Sequence, residues 1–213
     1  MSEKARGILI VFSGFSGSGK GTIVGELISR YRSYYSLSVS ATTRLPRATE
    51  KDGREYFFKT REEFEKMIEK KELIEYALYV DNYYGTPKAY VEEQLDAGKD
   101  VILEIEMQGA GKVKEMFPDA LLMFVAPPDA QTLKERLLGR GTEELQVVEA
   151  RLSRAYEEAF LVEAYDYLLI NDTVDRCVEE FHSIVRNEHR KVLRNQEFIT
   201  RIKEELKDFS KGE

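Results

Sequence analysis

A glycine-rich stretch that contains a lysine and several hydroxyl residues lies close to the start of the sequence. The stretch is Gly14-Phe15-Ser16-Gly17-Ser18-Gly19-Lys20-Gly21-Thr22, and we call it the phosphate loop. Glycines let the backbone curl so that several N–H groups point at one anion, and a lysine adds a positive charge for the outer phosphates of a nucleotide. The pattern G-x-x-x-x-G-K-[ST] fails only at its last position, where Gly21 replaces the hydroxyl residue and Thr22 follows. The sequence therefore predicts a phosphate cradle, but not a direct hydroxyl contact to a metal ion.

The segments on either side of this loop provide the context that it needs. Ile8 to Phe12 is apolar without alternation, which is typical of a strand buried on both faces of a parallel sheet. After the loop, Ile23, Leu27 and Ile28 recur at helical spacing, and a helix N-terminus adds partial positive charge. The alternative is a glycine-rich turn that merely joins strand to helix. The lysine and both flanking elements disfavour it, and we predict nucleotide binding.

A second candidate anion site follows at Ser40-Ala41-Thr42-Thr43-Arg44-Leu45-Pro46-Arg47. Arg44 and Arg47 offer planar forks that match phosphate, and the hydroxyls can fill its remaining acceptor positions. The alternative is a solvated basic loop that pairs with Glu50 or Asp52.

Three residues further along favour the anion site. Tyr56 and Tyr84 can donate to a phosphate or stack on a base. Glu75 offers an acceptor carboxylate that matches the N1–H and N2 amino edge of guanine, whereas adenine presents an acceptor at N1. A purine with the wrong edge would leave buried groups unpaired, which costs about 1–3 kcal/mol each.

A third group of cations surrounds a glycine pair at Arg136-Leu137-Leu138-Gly139-Arg140-Gly141-Thr142, with Arg151 and Arg154 beyond it. Phosphoryl transfer needs in-line positioning and positive charge around the moving group, and closing arginines can supply that charge. The alternative is surface salt bridges with neighbouring glutamates. We favour that alternative for Arg136 and Arg154, and the catalytic role for Arg140 and Arg151.

The remaining chain predicts an α/β fold. Buried strands at 101–106, 121–126 and 167–170 alternate with helices, which indicates a mainly parallel sheet. Ligands of such sheets bind beyond the carboxyl ends of the strands, where Ser40, Glu106 and Asn171 would join the loop. Shorter elements are expected as strands at 37–40 and 56–58, helices at 61–73 and 90–97, and a tyrosine-rich loop at 82–87.

Composition narrows the class of protein. The 213 residues carry a net charge of -7, which argues against a nucleic-acid surface. One cysteine, Cys177, and two histidines make a disulfide or a zinc site improbable, and neither a signal peptide nor a membrane-spanning run stands out. A cytoplasmic protein is expected. Val185, Val192, Ile199 and Leu206 recur every seven residues in a tail helix, which we expect to cover the chain's own core rather than a partner chain.

The sequence resembles guanylate kinase over nearly its full length. The resemblance rests on the phosphate loop and on motifs that occur in one order: Ser38 to Arg47, Gly53 to Tyr56, Ile74-Glu75, Asn82 to Thr86, Glu104 to Gly109, Ala126-Pro127-Pro128, Gly139 to Thr142 and Ile170-Asn171-Asp172. It implies a P-loop kinase fold with a five-stranded sheet, a small GMP-binding subdomain and a lid. The implied bounds are a core at 1–39, 89–136 and 158–213, a subdomain at 40–88 and a lid at 137–157.

The resemblance also implies roles for individual residues. The GMP phosphate would be held by Arg44, Arg47, Tyr56 and Tyr84, and guanine would be read by Ser40, Glu75, Thr86 and Glu106. Residues 14–22 would bind ATP together with Arg140 and Asn171, and catalysis would rest on Lys20, Arg44, Arg140 and Arg151. Mg²⁺ would arrive with ATP, held mainly by nucleotide phosphates and water, near Thr22 and Glu106. Phe15 stands where the family usually has proline, and we expect it to be tolerated.

The implied activity is transfer of the ATP γ-phosphoryl group to GMP or dGMP by a monomer or homo-oligomer. Two other interpretations remain open from sequence. A guanylate-kinase-like module without catalysis would bind a phosphorylated peptide, although such modules typically have a damaged phosphate loop. An adenylate-type kinase is suggested by Gly-Lys-Gly-Thr alone, and Glu75 counts against it.

Overall fold

A computed structural model describes residues 6–139 and 145–210 of the chain. Its strands are β1 (Leu9–Gly14), β2 (Tyr35–Leu37), β3 (Ala41–Thr42), β4 (Phe57–Phe58), β5 (Leu73–Tyr79), β6 (Asn82–Pro87), β7 (Asp100–Glu104), β8 (Leu121–Ala126) and β9 (Tyr167–Ile170). Its α-helices are α1 (Lys20–Arg30), α2 (Arg61–Glu69), α3 (Lys88–Asp96), α4 (Met107–Met116), α5 (Ala130–Leu138), α6 (Leu145–Ala159), α7 (Val174–Glu188) and α8 (Gln196–Ser210). Short 3-10 helices span Val162–Ala164 and Val192–Asn195.

The main sheet has five strands in the order β2-β7-β1-β8-β9, and every neighbouring pair is parallel. The predicted α/β fold with a mainly parallel five-stranded sheet is therefore confirmed. The central strand β1 lies between β7 and β8, so the loop that leaves its carboxyl end is flanked by the ends of both neighbours. This edge of the sheet positions the site.

Helices cover both faces of the main sheet. On one face, α1 and α7 pack over a cluster in which Phe12 meets Phe181 edge to face, with ring centroids 5.3 Å apart. On the other face, α3 and α4 pack over Leu9, Val11 and Leu103. Alternate residues of β1 thus serve the two layers, which explains why its sequence is apolar without alternation. Cys177 of α7 is fully buried in the first cluster, and burial raises the pKa of its thiol to about 12.

A second sheet, in the order β4-β3-β6-β5, lies between β2 and α3 in the chain and corrects two predictions. The predicted helix at 61–73 ends at Glu69, and Leu73 already opens β5. The predicted tyrosine-rich loop is strand β6, which pairs antiparallel with β3 and β5. Val80 and Asp81, at the turn between β5 and β6, both have positive φ, 45° and 61°. Neither residue is glycine, so the usual hairpin signal is missing.

Two further boundaries and the tail also differ from expectation. The first short strand is Tyr35–Leu37 rather than 37–40, and α3 begins at Lys88. Val185 packs into the core as expected, but Leu206 and Phe209 on α8 are 60% and 83% exposed. The prediction that the tail covers the core is therefore wrong for α8. In the described part of the chain, no helix combines the length and apolarity needed to cross a membrane.

Candidate active site

The phosphate loop curls between β1 and α1 as its sequence predicts. Gly17 and Gly19 have φ of 92° and 94°, in the left-handed region that favours glycine. Gly19 is the N-cap of α1, and the helix begins at Lys20. The Nζ of Lys20 donates to the carbonyl oxygens of Gly14 and, at 3.3 Å, Phe15. The loop therefore holds its lysine at its own rim, beside the positive end of the helix.

Two of the loop glycines leave no space for a side chain, whereas a third does. A Cβ on Gly14 would lie 2.3 Å from the carbonyl oxygen of Val125, and one on Gly19 would lie 2.4 Å from the Nδ2 of Asn171. A Cβ on Gly21 would meet nothing within 4 Å. The position of Gly21 therefore has space for a side chain, although the sequence places no hydroxyl group there. The neighbouring Thr22 is exposed.

Two side chains from distant parts of the chain hold the back of the loop. Asn171, at the end of β9, donates from Nδ2 to the carbonyl oxygen of Ser18 at 2.8 Å. Arg136 of α5 donates to the carbonyl oxygen of Asn171 at 2.8 Å and reaches that of Ser18 at 3.4 Å. Ser18 and Asn171 are only 0% and 3% exposed, so these bonds are shielded from water. Arg136 was expected to form surface salt bridges; its contacts with these carbonyls correct that prediction.

The loop also packs against α5, which leads into the predicted lid, and against α6, most of which lies within it. Phe15 stacks edge to face on Phe124 at 4.9 Å, and it contacts the apolar cluster shared by α5 and α6. Its aromatic ring therefore links the loop to the main sheet and to this cluster. Arg151 lies half-buried on α6. Arg140 lies outside the described residues.

The second anion site is built on the second sheet. Arg44 donates from Nη2 to the Oε1 of Glu50 at 2.8 Å, and its guanidinium lies 5.4 Å from the ring centroid of Tyr56. Tyr56 and Tyr84 have ring centroids 6.0 Å apart. The pairing with Glu50, expected under the solvated-loop alternative, lowers the pKa of that carboxyl. The structure thus brings Arg44 and the two tyrosines together, and Arg44 already has a carboxylate partner. Arg47, by contrast, is exposed.

Glu75 and Thr86 face each other across strands β5 and β6. The Thr86 hydroxyl donates to the Oε1 of Glu75 at 2.7 Å, and Thr86 is fully buried. Burial raises the pKa of the Glu75 carboxyl, against the opposing effect of the bond from Thr86. Ser40 lies just before β3, where its carbonyl accepts from the N–H of Phe57 at 2.9 Å. Glu75 and Thr86 therefore form a hydrogen-bonded polar pair across the β5–β6 hairpin.

Glu106 lies between β7 and α4 and pairs with α6, at a residue within the predicted lid. Its Oε2 accepts from the Nη2 of Arg154 at 2.6 Å, and Arg154 also donates to Glu158 at 2.9 Å. The bond to Glu158 is the neighbouring salt bridge expected for Arg154. The bond to Glu106, across 48 residues of sequence, is one that helical spacing does not predict.

Comparisons with known proteins decide between the open interpretations. A family model described as Guanylate kinase matches residues 6–188. A guanylate kinase of Streptococcus thermophilus is 52% identical over 194 residues, 91% of this chain and 92% of the relative. One of Caldanaerobacter subterraneus is 49% identical over 205 residues, 96% of this chain and 99% of the relative. The chain belongs to the guanylate kinase family.

The structural comparison agrees. A crystal structure of guanylate kinase from Anaplasma phagocytophilum is 32% identical, covers 90% of both chains and gives a TM-score of 0.68. The resemblance, the fold class and the interpretation as an enzyme that phosphorylates nucleotides are confirmed for this chain. The roles assigned to individual residues and the domain bounds stay predictions.

Sequence reasoning missed the part that Arg136 and Asn171 play behind the phosphate loop. Each contacts Ser18 across more than a hundred residues of sequence. A hint was available, because Arg136 lies three residues before the glycine pair and Asn171 ends a predicted strand. Neither sequence position alone indicates which backbone carbonyl the side chain contacts.

The oxygen donors at this edge suit a hard divalent cation. Glu104 is the last residue of β7, beside the loop, and Glu106 follows it before α4. Carboxylate and phosphate oxygens are ligands that Mg²⁺ prefers. Among residues 6–139 and 145–210, no group of three histidine, cysteine or acidic side chains is placed to hold a metal ion by itself. A metal that arrives with nucleotide phosphates fits this donor set better than one bound by protein alone.

Proposed function

We propose that this member of the guanylate kinase family transfers the γ-phosphoryl group of ATP to the phosphate of GMP or dGMP, giving ADP and GDP or dGDP. The observation that carries the proposal is that one small sheet carries both the Glu75–Thr86 pair and the group of Arg44, Tyr56 and Tyr84. An acceptor carboxylate and a cation on the same sheet suit a guanine base joined to a phosphate. Membership of the guanylate kinase family supports the same substrate.

The phosphate loop would bind the ATP phosphates. Its backbone N–H groups and the N-terminus of α1 supply fixed partial positive charge, and Lys20 adds a full charge at the rim. In the structure Lys20 donates to loop carbonyls, so it is held within reach of an anion that enters the loop. On binding, the lysine would exchange these carbonyls for phosphate oxygens.

The second sheet would hold the acceptor. Arg44, Arg47, Tyr56 and Tyr84 would donate to the GMP phosphate, and Arg44 would exchange Glu50 for it. Glu75 would accept from N1–H and the N2 amino group of guanine, with Ser40, Thr86 and Glu106 completing the contacts. Because these groups are partly buried, a base with the wrong edge would leave them unpaired.

The transfer needs positioning and charge rather than a protein nucleophile. An oxygen of the GMP phosphate attacks the γ-phosphorus, the bond to the oxygen that bridges the β- and γ-phosphates breaks, and that oxygen leaves with ADP. The GMP phosphate is a dianion near neutral pH, so no general base is required. Lys20, Arg140 and Arg151 would surround the moving group. Mg²⁺ bound to ATP would neutralise charge on the β- and γ-phosphates, with Glu106 and Thr22 near it through water.

Movement of the predicted subdomain and lid would accompany this reaction. The subdomain at 40–88 and the lid at 137–157 would close over the core and exclude water. A cytoplasmic location, the monomer or homo-oligomer, and the absence of nucleic-acid and membrane partners stay predictions.

The test is a coupled assay of ADP release with Mg-ATP and each nucleoside monophosphate in turn. We expect rapid turnover with GMP and dGMP and little with AMP, CMP or UMP. Turnover with AMP in place of GMP would contradict the assignment of Glu75. Binding of GMP without turnover for any acceptor would contradict the catalytic proposal.

A further inference from the structure

The carbonyl of Ser18, in the middle of the phosphate loop, is held by two side chains from behind. Asn171 donates to it at 2.8 Å, and Arg136 approaches it at 3.4 Å. Arg136 also fixes Asn171 itself through a 2.8 Å bond to its carbonyl, and the Asn171 N–H donates to Ala126 at 2.8 Å. Three elements of the chain, β8, β9 and α5, therefore converge on one peptide group of the loop.

This peptide group joins Ser18 to Gly19, and it is trans, as are all those described. In a trans peptide the C=O and the following N–H point in opposite directions. When Arg136 and Asn171 hold the Ser18 carbonyl from one side, the Gly19 N–H points to the opposite side. The absence of a Cβ on Gly19 allows this, since one would lie 2.4 Å from the amide of Asn171.

We propose that Arg136 is a positioning residue, which acts through Asn171 and the Ser18 carbonyl to aim the Gly19 N–H at the ATP phosphates. The proposal rests on the proposed function, because it requires that the loop binds those phosphates. A guanidinium close to the carbonyl also polarises the peptide, which makes its N–H a stronger donor.

The same contact couples the loop to the lid. Arg136 lies near the end of α5, immediately before the predicted lid, and its neighbour Leu137 would be 3.0 Å from a Cβ on Gly17. A rotation or shift of α5 therefore moves groups that touch Gly17 and Ser18 together. Phosphate affinity at the loop should depend on where α5 lies, independently of the nucleoside.

The experiment measures binding of tripolyphosphate and of ADP by calorimetry, using the full chain and its Arg136→Met and Arg136→Lys variants. Tripolyphosphate has no base or sugar, so it reports on the loop alone. We expect Arg136→Met to weaken both ligands by the same factor, about tenfold, because a shielded hydrogen bond from a charged group is lost. Arg136→Lys should restore part of that loss. The KM for GMP should stay within error of the wild-type value.

Lys134→Met is the matched control. It removes a cation from the same helix, two residues away, at an exposed position that contacts no part of the loop through a hydrogen bond in the described residues. We expect it to leave both affinities unchanged. A tripolyphosphate affinity unchanged in Arg136→Met, with weaker ADP binding, would show that Arg136 acts on the nucleoside and would overturn the proposal.

A second readout keeps the test independent of activity. Addition of tripolyphosphate to the wild-type chain should shift the Gly19 amide resonance downfield, since that N–H becomes a donor to phosphate. The shift should be markedly smaller in Arg136→Met, and an equal shift would contradict the proposal. If the wild-type chain binds neither ATP nor tripolyphosphate, the proposed function itself fails, which is a different result from any variant effect.

Discussion

The two halves of the site are prepared in different ways. In the phosphate loop the groups that would meet phosphate are backbone N–H groups, fixed from behind by Asn171 and Arg136. On the acceptor side they are side chains, and three of them are already engaged by another residue: Arg44 by Glu50, Glu75 by Thr86, and Glu106 by Arg154.

This difference determines how much each half of the site must reorganise when its substrate binds. A loop whose peptide groups are already aimed needs little reorganisation when ATP enters. The acceptor side must exchange internal partners for substrate, so its affinity is the difference between two sets of contacts. A correct substrate replaces every partner that it displaces, and a wrong one leaves some of them unpaired. We expect mutations to separate the halves accordingly.

The largest effect should come from Lys20→Ala. The variant removes the charged group of the loop, and we expect kcat to fall by roughly a thousandfold because transition-state charge loses its nearest cation. The ADP-release assay measures the change. Lys134→Met, which removes an exposed lysine of α5 outside the loop, should behave as wild type. Near-normal turnover of Lys20→Ala would exclude the assigned role.

Glu75→Gln should weaken GMP binding and at the same time stabilise the fold. We expect the KM for GMP to rise about ten- to hundredfold, since Gln replaces an acceptor of two guanine donors with a group that accepts only one. The fold should become more stable at neutral pH, because burial raises the pKa of the Glu75 carboxyl and the ionised form is disfavoured.

The sign of this stability change with pH can be checked by thermal unfolding. A raised carboxyl pKa gives a stability contribution that is complete below the ordinary value of 4.5 and is lost as pH rises through the folded value. The advantage of Glu75→Gln should therefore be largest near pH 7 and disappear below pH 4.5. An advantage that grows in acid would contradict the burial argument.

Glu50→Gln tests whether acceptor groups are held by competing partners. Loss of this carboxylate frees Arg44 of its counter-ion, and we expect the KM for GMP to fall by about two- to fivefold. The KM for ATP should not change. Arg44→Ala is the opposing control, in which GMP binding should weaken. A higher KM for GMP in Glu50→Gln would mean that Glu50 orients Arg44 rather than competing with substrate.

Arg154→Ala should give the smallest effect. The Arg154–Glu106 pair is 52% and 73% exposed, and such pairs contribute about 0–1 kcal/mol. If Glu106 contacts guanine, its release should lower the KM for GMP by at most about fivefold. Arg176→Ala, which removes a comparable exposed arginine on α7, should have no effect on any kinetic constant.

The sequence predicted the features that depend on local pattern. The strand, glycine turn and helix around Lys20 are contiguous, and the central strands β1 and β8 are mainly apolar, so both could be predicted. The hairpin of β5 and β6 could not, because Val80 and Asp81 adopt positive φ without the glycine that usually marks such turns. The bonds from Arg136 and Asn171 to Ser18 span 118 and 153 residues, and such contacts exist only once the sheet has formed.

The burial of Cys177 has a practical consequence for work on closure. Its thiol is 0% exposed with a pKa near 12, so maleimide dyes should leave it unlabelled while the chain is folded. Cysteines introduced at Tyr79 on β5 and Tyr156 on α6, which are 71% and 70% exposed, would then be the reactive sites for a fluorophore pair. Energy transfer between them would follow the approach of the predicted subdomain and the predicted lid in real time. Cys177 would become reactive only in molecules that unfold, so its labelling would measure the unfolded fraction.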